Sequence, residues 1–274
     1  MNETPKNKAN LSKFLVGLNY LPIFDPSLWP KRELLSRIAA ILFVAAFLFM
    51  KVYHLGRFPG SFHSMTSFYL ALNKKFSGNL FGVYEINLIW GIRVTTWTIE
   101  TGILLGYIFS YLIRVRAIGI AKGFMEVVFP FIIAGIPILI SFAPYNIHER
   151  IPYDSAYHVQ YYLGIMSLIL AGGTINFISL LTLRRSFAIM SEARRLVTTG
   201  IYKLVRHPFY TGHFIMFFGS LCLRLHSYTI AMYAFFVVGQ IIRARIEEGK
   251  LCDTFLEYSK YMEKAGMFFP KLFR

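Results

Sequence analysis

Two short segments near the C-terminal end of the chain carry side chains that could do chemistry. The first is LVTTGIYKLVRHPFYTG at residues 196–212. Within it, Gly200 permits a turn that a Cβ would obstruct, and the His207–Pro208 step stops a helix because the residue before a proline is pushed out of the α region. The backbone groups that such a break exposes must be satisfied by protein, water or a ligand. The segment is therefore either a ligand-binding loop or an ordinary interfacial loop in which Arg206 snorkels towards water.

The second segment is RARIEEGK at residues 243–250, which directly follows an apolar stretch. If the helix continues through it, Arg243 lies four residues before Glu247 and Arg245 lies three before Glu248, so both pairs can form along one helix. A solvated helix end would look similar. However, a charge at the membrane boundary is costly without a partner, which favours paired side chains at a site.

A few other polar residues stand inside apolar stretches. Glu100 is a functional candidate because ionisable groups within a membrane span are costly, and Arg93 is a candidate partner for it; a packing role is the alternative. His213 is predicted to be a packing or interfacial histidine. Cys222 and Cys252 are expected on opposite sides of an interface without a disulfide, and no Cys/His spacing predicts a metal site.

The elements that position these segments are expected to be membrane helices. The chain has 274 residues, of which 55% are hydrophobic and only 16% charged, with a mean hydropathy of +0.50. A water-soluble core cannot hide that much apolar surface, and a soluble domain is typically about 25% charged. The apolar residues fall in blocks near the roughly 20 residues that a membrane-crossing helix needs. We therefore predict an all-α, polytopic membrane helix bundle.

About six transmembrane helices are predicted from these blocks. The third should be kinked by Pro130 and Pro137. The last apolar stretch is too long for one span and is interrupted by Arg224, so it is predicted to form a C-terminal helical hairpin. The predicted spans are Leu34–Tyr53, Val94–Ile113, Gly123–Phe142, Tyr157–Leu183 and the hairpin within Thr211–Ile242. Residues 1–183 are expected to form an N-terminal membrane unit, and residues 184–274 a second unit that carries the chemistry.

The positive charges predict the orientation of the chain. With these spans, 22 of the 29 Lys and Arg residues lie on the side of the N-terminus, six lie opposite, and Arg93 is at a margin. Cytoplasmic loops carry such an excess, so both termini are expected in the cytoplasm. The first apolar run begins too late for a cleaved signal peptide and is interpreted as a retained anchor. The net charge of +15 is explained by this excess of Lys and Arg in cytoplasmic loops, so nucleic-acid binding is not expected.

Three ordered motifs together resemble a known family. RHPFYTG at residues 206–212 with LVTTGIY before it, RARIEE at 243–248, and a tail with Leu251, Phe255, Tyr258, Tyr261 and Pro270 look like the isoprenylcysteine carboxyl methyltransferase and phospholipid methyltransferase superfamily. The likeness covers about the last 90 residues. Two features depart from the family: Leu256 replaces its usual glycine, and the spacing from Phe255 to Tyr258 is one residue short. No motif of the first 180 residues aligns.

The resemblance implies S-adenosylmethionine as the methyl donor, bound in a cytoplasm-facing pocket between the RHP loop and the helix that carries the two glutamates. Glu247 or Glu248 would meet the amino group of the donor. This assignment agrees with the charges of the donor, since an ammonium and a sulfonium favour carboxylates and aromatic faces. Carried over by position, the cofactor-binding residues would be Gly200, Tyr202, Val205, His207, Pro208, Tyr210, Glu247 and Glu248.

The acceptor decides which side chains would be catalytic. A carboxylate of the isoprenylcysteine kind is already nucleophilic and needs only a cation to place it, for which Arg206 or Arg243 is suited. A phospholipid amine would need a base such as Glu247 or His207. The closeness of RARIEE to the carboxyl methyltransferase pattern favours the carboxylate. Small thiols remain another acceptor. Expected partners are a lipophilic or prenylated small molecule or protein and membrane lipid; the sequence indicates no oligomeric state.

Two further hypotheses come from other classes of protein. A sterol-reductase-like oxidoreductase also has a C-terminal region of tyrosine-rich helices but uses NADPH. A transporter or structural membrane protein would bind neither cofactor. The RHP loop followed by paired glutamates favours the methyltransferase. The expected location is a cell inner membrane or a membrane of the endoplasmic-reticulum type.

Overall fold

The regular structure of the protein is helical throughout the parts that are described. In this computed structural model those parts are residues 29–53, 80–143 and 156–271. Extended pairing within them is limited to two isolated bridges, Gly119 with Ala193 and Val205 with Gly266. The expected all-α class is therefore confirmed for these residues. The helices are α1 Trp29–Tyr53, α2 Leu80–Ile113, α3 Gly123–Val127, α4 Phe129–Phe142, α5 Ala156–Leu183, α6 Pro208–Leu223, α7 Ser227–Thr254 and α8 Tyr258–Lys264.

Each predicted span coincides with helical structure, although the extents differ. The span predicted from Val94 is the C-terminal part of the longer α2. The span predicted over Gly123–Phe142 is broken into α3 and α4 at Val128. Pro130 explains the position of the break, because a proline is tolerated in the first turn of a helix but cannot donate the hydrogen bond that would continue α3.

The C-terminal hairpin is confirmed and consists of α6 and α7. Its turn is stabilised by Thr229, whose hydroxyl donates to Arg224 O over 2.6 Å and accepts from the N–H of His226 over 3.0 Å. Arg224 Nε in turn donates to Ala143 O over 3.0 Å, which ties the turn to the end of α4. Helix α7 extends beyond the apolar stretch, which ends at Ile242, and continues through RARIEEGK to Thr254, as the expected pair of Arg243 and Glu247 requires.

Two of the described helical stretches are long and apolar enough to cross a membrane. They are Gln160–Ser186 and Ser227–Thr254, of 27 and 28 residues. Shorter apolar stretches occupy the other long helices, at Arg37–Phe49, Trp97–Ile113, Gly123–Pro137 and Pro208–Leu223. Length and composition thus support membrane helices at both of the longest stretches.

Helices α5 and α6 pack with their backbones in close contact. A Cβ on Gly172 of α5 would lie 2.4 Å from the N atom of Met216, and one on Gly212 of α6 would lie 2.3 Å from Asn176 Oδ1. Small residues at helix interfaces are typical of membrane bundles because they let backbones approach. This packing fixes the start of α6 against α5. It thereby also fixes Arg206–Pro208, called the RHP turn.

Candidate functional site

The RHP turn has the local geometry that its residues predict. Gly200 has a φ of +58°, which favours glycine, and begins a short 3-10 helix over Gly200–Lys203. Pro208 is the first residue of α6. Between them, the N–H groups of Arg206 and His207 donate to Gly266 O and Met267 O over 2.8 and 3.0 Å. The broken backbone is thus satisfied by the C-terminal segment of the same chain.

Glu248 ties α7 to the RHP turn. Its Oε1 atom lies 2.6 Å from Arg206 Nε and 3.2 Å from His207 Nε2. Arg206 Nη1 also donates to Met262 O over 3.0 Å and to Ala265 O over 2.5 Å. The expected pair of Arg245 with Glu248 is wrong, because Glu248 points to the turn and Arg245 is exposed. Tertiary contacts replace the pairing that spacing along the helix suggested.

Glu247 joins α7 to the first turn of α6. Arg243 Nε donates to Glu247 Oε1 over 3.0 Å, which confirms the pair expected four residues apart. The hydroxyl of Tyr210 donates to the same oxygen over 2.5 Å. The Arg243 guanidinium also lies over the ring of Tyr210, 5.1 Å from its centroid, and Arg243 Nη2 donates to Ile189 O over 2.5 Å. The two adjacent acids therefore face different partners.

A cleft lies between the RHP turn, α7 and the segment that leads from α5 to the turn. Of the residues expected at the site, six line this cleft: Tyr202, Arg206, His207, Tyr210, Arg243 and Glu247. The other four do not. Val205 and Pro208 are buried in the turn, Gly200 lies exposed at its start, and Glu248 is engaged with Arg206 and His207. The RHP turn (Arg206–Pro208) and the twin acids, Glu247 and Glu248, nevertheless lie together beside this cleft.

One wall of the cleft contains none of the residues that the sequence analysis singled out. This wall, the 183–197 wall, consists of residues from Leu183 to Val197. The other lining residues that were not expected are Phe209, Leu251, Tyr258 and Tyr261. The segment follows α5 as a short 3-10 turn and then irregular backbone, so no periodicity marks it. The available signal was its arginine-rich composition, which indicated the region but not the residues.

The 183–197 wall is held in place by residues of the N-terminal half of the chain. The N–H of Ile189 donates to the hydroxyl of Tyr111 in α2 over 2.8 Å, and that of Ser191 donates to Glu126 O in α3 over 3.0 Å. Residues Gly119 and Ala193 exchange two backbone hydrogen bonds of 2.9 and 2.8 Å. Residues outside the recognisable motifs thus shape the cleft.

A lysine connects the same N-terminal segment to α7. Lys250 Nζ donates to Ile120 O over 2.6 Å and forms an ion pair with Glu126. Glu126 Oε2 also accepts from the N–H of Lys122. The backbone oxygen of Glu126 also accepts a hydrogen bond from the N–H of Ser191. The ion pair therefore couples the position of α7 to that of the 183–197 wall.

The tyrosines of the cleft are neutral hydrogen-bonding groups at physiological pH. Burial, with the nearby Glu247 carboxylate adding to it, holds the pKa of Tyr202 well above its ordinary value. Burial also raises the pKa of Tyr258, and it raises the pKa of Tyr261 to about 12. The hydroxyl of Tyr261 donates to Tyr202 O, so it fixes the start of the turn.

The remaining candidates lie away from the cleft. Glu100 is half-buried in α2 and does not line the cleft, and the side chain of its expected partner Arg93 lies outside what is described. The ring centroid of His213 lies 4.4 Å from that of Phe209 and 5.4 Å from that of Phe217, so it packs inside the bundle as predicted. Cys222 and Cys252 are not joined by a disulfide. Across the described residues, no group of three or more His, Cys, Asp or Glu side chains could hold a metal ion.

Comparison with known proteins supports the resemblance. Residues 164–252 match the model of the isoprenylcysteine carboxyl methyltransferase (ICMT) family. A protein-S-isoprenylcysteine O-methyltransferase of Saccharomyces cerevisiae is 31% identical over 111 residues, which are 38% of this chain and 46% of that protein. A probable protein-S-isoprenylcysteine O-methyltransferase of Oryza sativa subsp. indica is 31% identical over 120 residues, 40% of this chain and 60% of that protein. The match thus spans about half the length of these relatives, and the matched family region contains both the RHP turn and the twin acids.

Proposed function

We propose that this protein transfers a methyl group from S-adenosylmethionine to the carboxylate of a lipophilic acceptor of the isoprenylcysteine type. One observation carries the proposal: the RHP turn and the two glutamates, 41 residues apart between His207 and Glu248, meet through direct hydrogen bonds beside one cleft. The names of the relatives that match this region support the same reaction.

The side chains of the cleft fit the chemistry of the donor. Glu247 presents a carboxylate to the cleft, with its side chain 22% exposed, and no described residue donates a hydrogen bond to its Oε2 atom. That oxygen is available for an ammonium group. Tyr202 and Tyr210 line the same cleft. The ring of Tyr210 is already in contact with the Arg243 guanidinium, so Tyr202 is the one of the two that could offer its ring to a cation, an attraction of roughly 0.5 to 2 kcal/mol. The donor supplies an activated methyl group on its positively charged sulfur.

The protein contributes alignment, charge and exclusion of water. Arg243 and the Tyr210 hydroxyl hold Glu247 Oε1 in one position, so the ammonium-binding carboxylate is fixed before a ligand arrives. Arg206 and His207 are held by Glu248, which fixes the turn against α7. Apolar side chains at Leu183, Phe187 and Met190 line the opposite wall. Holding two reactants in line is the main requirement of such a displacement.

A carboxylate acceptor suits this arrangement better than an amine. An amine acceptor arrives protonated and needs a base. The carboxylate of Glu247 already accepts two hydrogen bonds on Oε1, and the His207 ring is engaged with Glu248. A carboxylate acceptor needs neither of them as a base. N-methylation of a phospholipid is therefore disfavoured. S-methylation of a thiol is disfavoured for the same reason, because a thiol must also lose a proton to a base.

The proposed setting is a membrane, with about six crossings and both termini in the cytoplasm, in a cell inner membrane or a membrane of the endoplasmic-reticulum type. The two long apolar stretches support membrane insertion, and the excess of Lys and Arg on the side of the N-terminus supports the orientation. The chemically active unit is proposed to be residues 184–274, with its substrate site shaped partly by residues 1–183. A lipid-soluble acceptor would then enter from the bilayer, and the water-soluble donor from the cytosol.

A single labelling experiment tests the function. The purified protein in detergent is incubated with methyl-tritiated S-adenosylmethionine and a synthetic S-prenylated cysteine, and the product is treated with base. Label released as methanol identifies a methyl ester and supports the proposal. Base-stable label on added phosphatidylethanolamine or on a small thiol would assign a different acceptor. Retention of the protein on immobilised NADPH, without labelling of any acceptor, would favour the reductase hypothesis.

A further inference from the structure

Among the described residues, four arginines line the cleft, and three of them are engaged within the protein. Arg206 is bonded to Glu248 and to two carbonyl groups of the C-terminal segment. Arg243 is bonded to Glu247 and to Ile189 O. The side chain of Arg194 is bonded to Glu192 over 2.6 Å and also to Val115 O. These three guanidinium groups therefore hold the walls of the cleft together.

The fourth arginine, Arg195, has an exposed side chain on a backbone that its neighbours hold in place. Its side chain is exposed, and no described residue forms a hydrogen bond, an ion pair or a ring contact with it. Its backbone follows directly on the paired residue Ala193 and on the engaged Arg194, both of which are fixed to the segment Val115–Gly119. The backbone at Arg195 is thus held in place, while its guanidinium has no hydrogen-bonding partner among the described residues.

The chemistry of the cleft indicates what this guanidinium would bind. The planar guanidinium offers two parallel donors that match a carboxylate. The proposed reaction brings two carboxylates to the cleft, that of the amino-acid end of the donor and that of the acceptor. Glu247 supplies the negative charge that the donor ammonium needs, but the guanidinium groups of Arg206 and Arg243 are already engaged with other groups. Among the described residues that line the cleft, Arg195 is the cation whose guanidinium is not engaged with another group, so it is the one that can receive a carboxylate.

We propose that Arg195 is the carboxylate-binding residue of the cleft. This inference rests on the proposed function and changes the role of two residues within it. Arg206 and Arg243, which the sequence suggested for placing the acceptor, become positioning residues that fix the turn and Glu247. Arg195 contacts the bound molecule itself.

The test compares three variants with the wild-type protein. Arg195→Ala removes the guanidinium, Arg195→Lys keeps the charge without the two-donor geometry, and Arg245→Ala removes an exposed arginine of α7 that does not line the cleft. Binding of S-adenosylhomocysteine and of 5′-methylthioadenosine, which lacks the amino-acid group, is measured by calorimetry. The KM for a synthetic S-prenylated cysteine is measured separately.

If Arg195 binds the donor, Arg195→Ala weakens S-adenosylhomocysteine binding by roughly 10-fold or more, as loss of a charge-assisted hydrogen bond implies, and leaves 5′-methylthioadenosine binding unchanged. If it binds the acceptor, S-adenosylhomocysteine binding is unchanged and the KM of the prenylated cysteine rises by a similar factor. In either case Arg195→Lys restores part of the loss, and Arg245→Ala has no effect.

Three results would overturn the inference, and they are distinguishable. Wild-type binding and KM that are both retained in Arg195→Ala remove Arg195 from the site while leaving the proposed function intact. Wild-type protein that binds no S-adenosylhomocysteine overturns the proposed function and the role of Arg195 together. A uniform loss of affinity for 5′-methylthioadenosine as well would show that Arg195 maintains the shape of the cleft and binds no carboxylate.

Discussion

Arg206 Nε lies 2.6 Å from Glu248 Oε1, so an ion pair links the RHP turn to the second of the two adjacent acids across 42 residues of sequence. Both side chains are largely buried, at 11% and 14% exposure. A partner left alone in such a place keeps the cost of its buried charge. This pair consequently contributes to holding the turn against α7.

Glu248→Gln is expected to destabilise the protein. The amide still accepts a hydrogen bond, but it leaves the Arg206 charge without a counter-charge, so we expect a loss of about 1 to 3 kcal/mol. Thermal unfolding in detergent measures it. Glu257→Gln, an exposed acid just before α8, is the matched control and should leave the unfolding temperature unchanged. Equal behaviour of the two variants would contradict a structural role for Glu248.

Glu247→Gln is expected to lose donor binding in addition to stability. Its side chain pairs with the buried Arg243 and also faces the cleft, so the substitution should lower the unfolding temperature and weaken S-adenosylhomocysteine binding by roughly 10-fold or more. Calorimetric titration of the two glutamine variants, side by side, checks this division of roles. Glu247→Gln that binds S-adenosylhomocysteine as tightly as the wild type would contradict a donor-binding role for Glu247.

Tyr111→Phe should weaken donor binding although Tyr111 lies in α2, outside the family match. Removing its hydroxyl leaves the buried N–H of Ile189 without an acceptor, at a cost of about 1 to 3 kcal/mol, and loosens the wall that Arg243 also holds. Tyr107→Phe is the matched control, since Tyr107 is in the same helix and stacks on Phe187 through its ring, with centroids 4.9 Å apart. Unfolding temperature and S-adenosylhomocysteine affinity should fall for the first variant only.

The ion pair of Lys250 with Glu126 should show energetic coupling. Glu126→Gln and Lys250→Met are each expected to lower stability, and the double variant should lose less than the sum of the single losses, by about 0.5 to 3 kcal/mol. A double-mutant cycle on thermal unfolding measures the difference. Strict additivity would mean that the two groups do not interact in solution.

Alkaline pH should destabilise the protein partly through Tyr261. Its pKa is raised from 10.0 to about 12 in the folded protein, so the unfolded chain loses this proton first. The stability that the group contributes is present below pH 10 and is lost as the pH rises from 10 to 12. The unfolding temperature of the wild type should therefore fall more steeply over this interval than that of Tyr261→Phe. Parallel curves would contradict the shift.

Features with a local signature could be predicted from the sequence. Apolar length indicated the helices, the interruption around Arg224 indicated the hairpin, and spacing along one helix indicated the pair of Arg243 and Glu247. The RHP turn was predictable because glycine and proline restrict the backbone directly. Each of these features depends on residues within a few turns of one another.

Features that depend on tertiary contacts could not be predicted in the same way. Glu248 was assigned to Arg245 because spacing along a helix says nothing about a loop 42 residues earlier. The wall around Ile189 has no periodic pattern, and its position depends on Tyr111, 78 residues away. Arg195 became a candidate only when the hydrogen bonds of its neighbours were known.

The central claim is that the RHP turn and α7 form one donor-binding cleft. Ultraviolet crosslinking of radiolabelled S-adenosylmethionine to the protein, followed by mapping of the labelled peptides, tests it directly. We predict label on residues of both cleft walls, within 187–210 and within 243–251, and loss of that label with excess S-adenosylhomocysteine. Label confined to other parts of the chain, or label that excess S-adenosylhomocysteine does not displace, would contradict the claim.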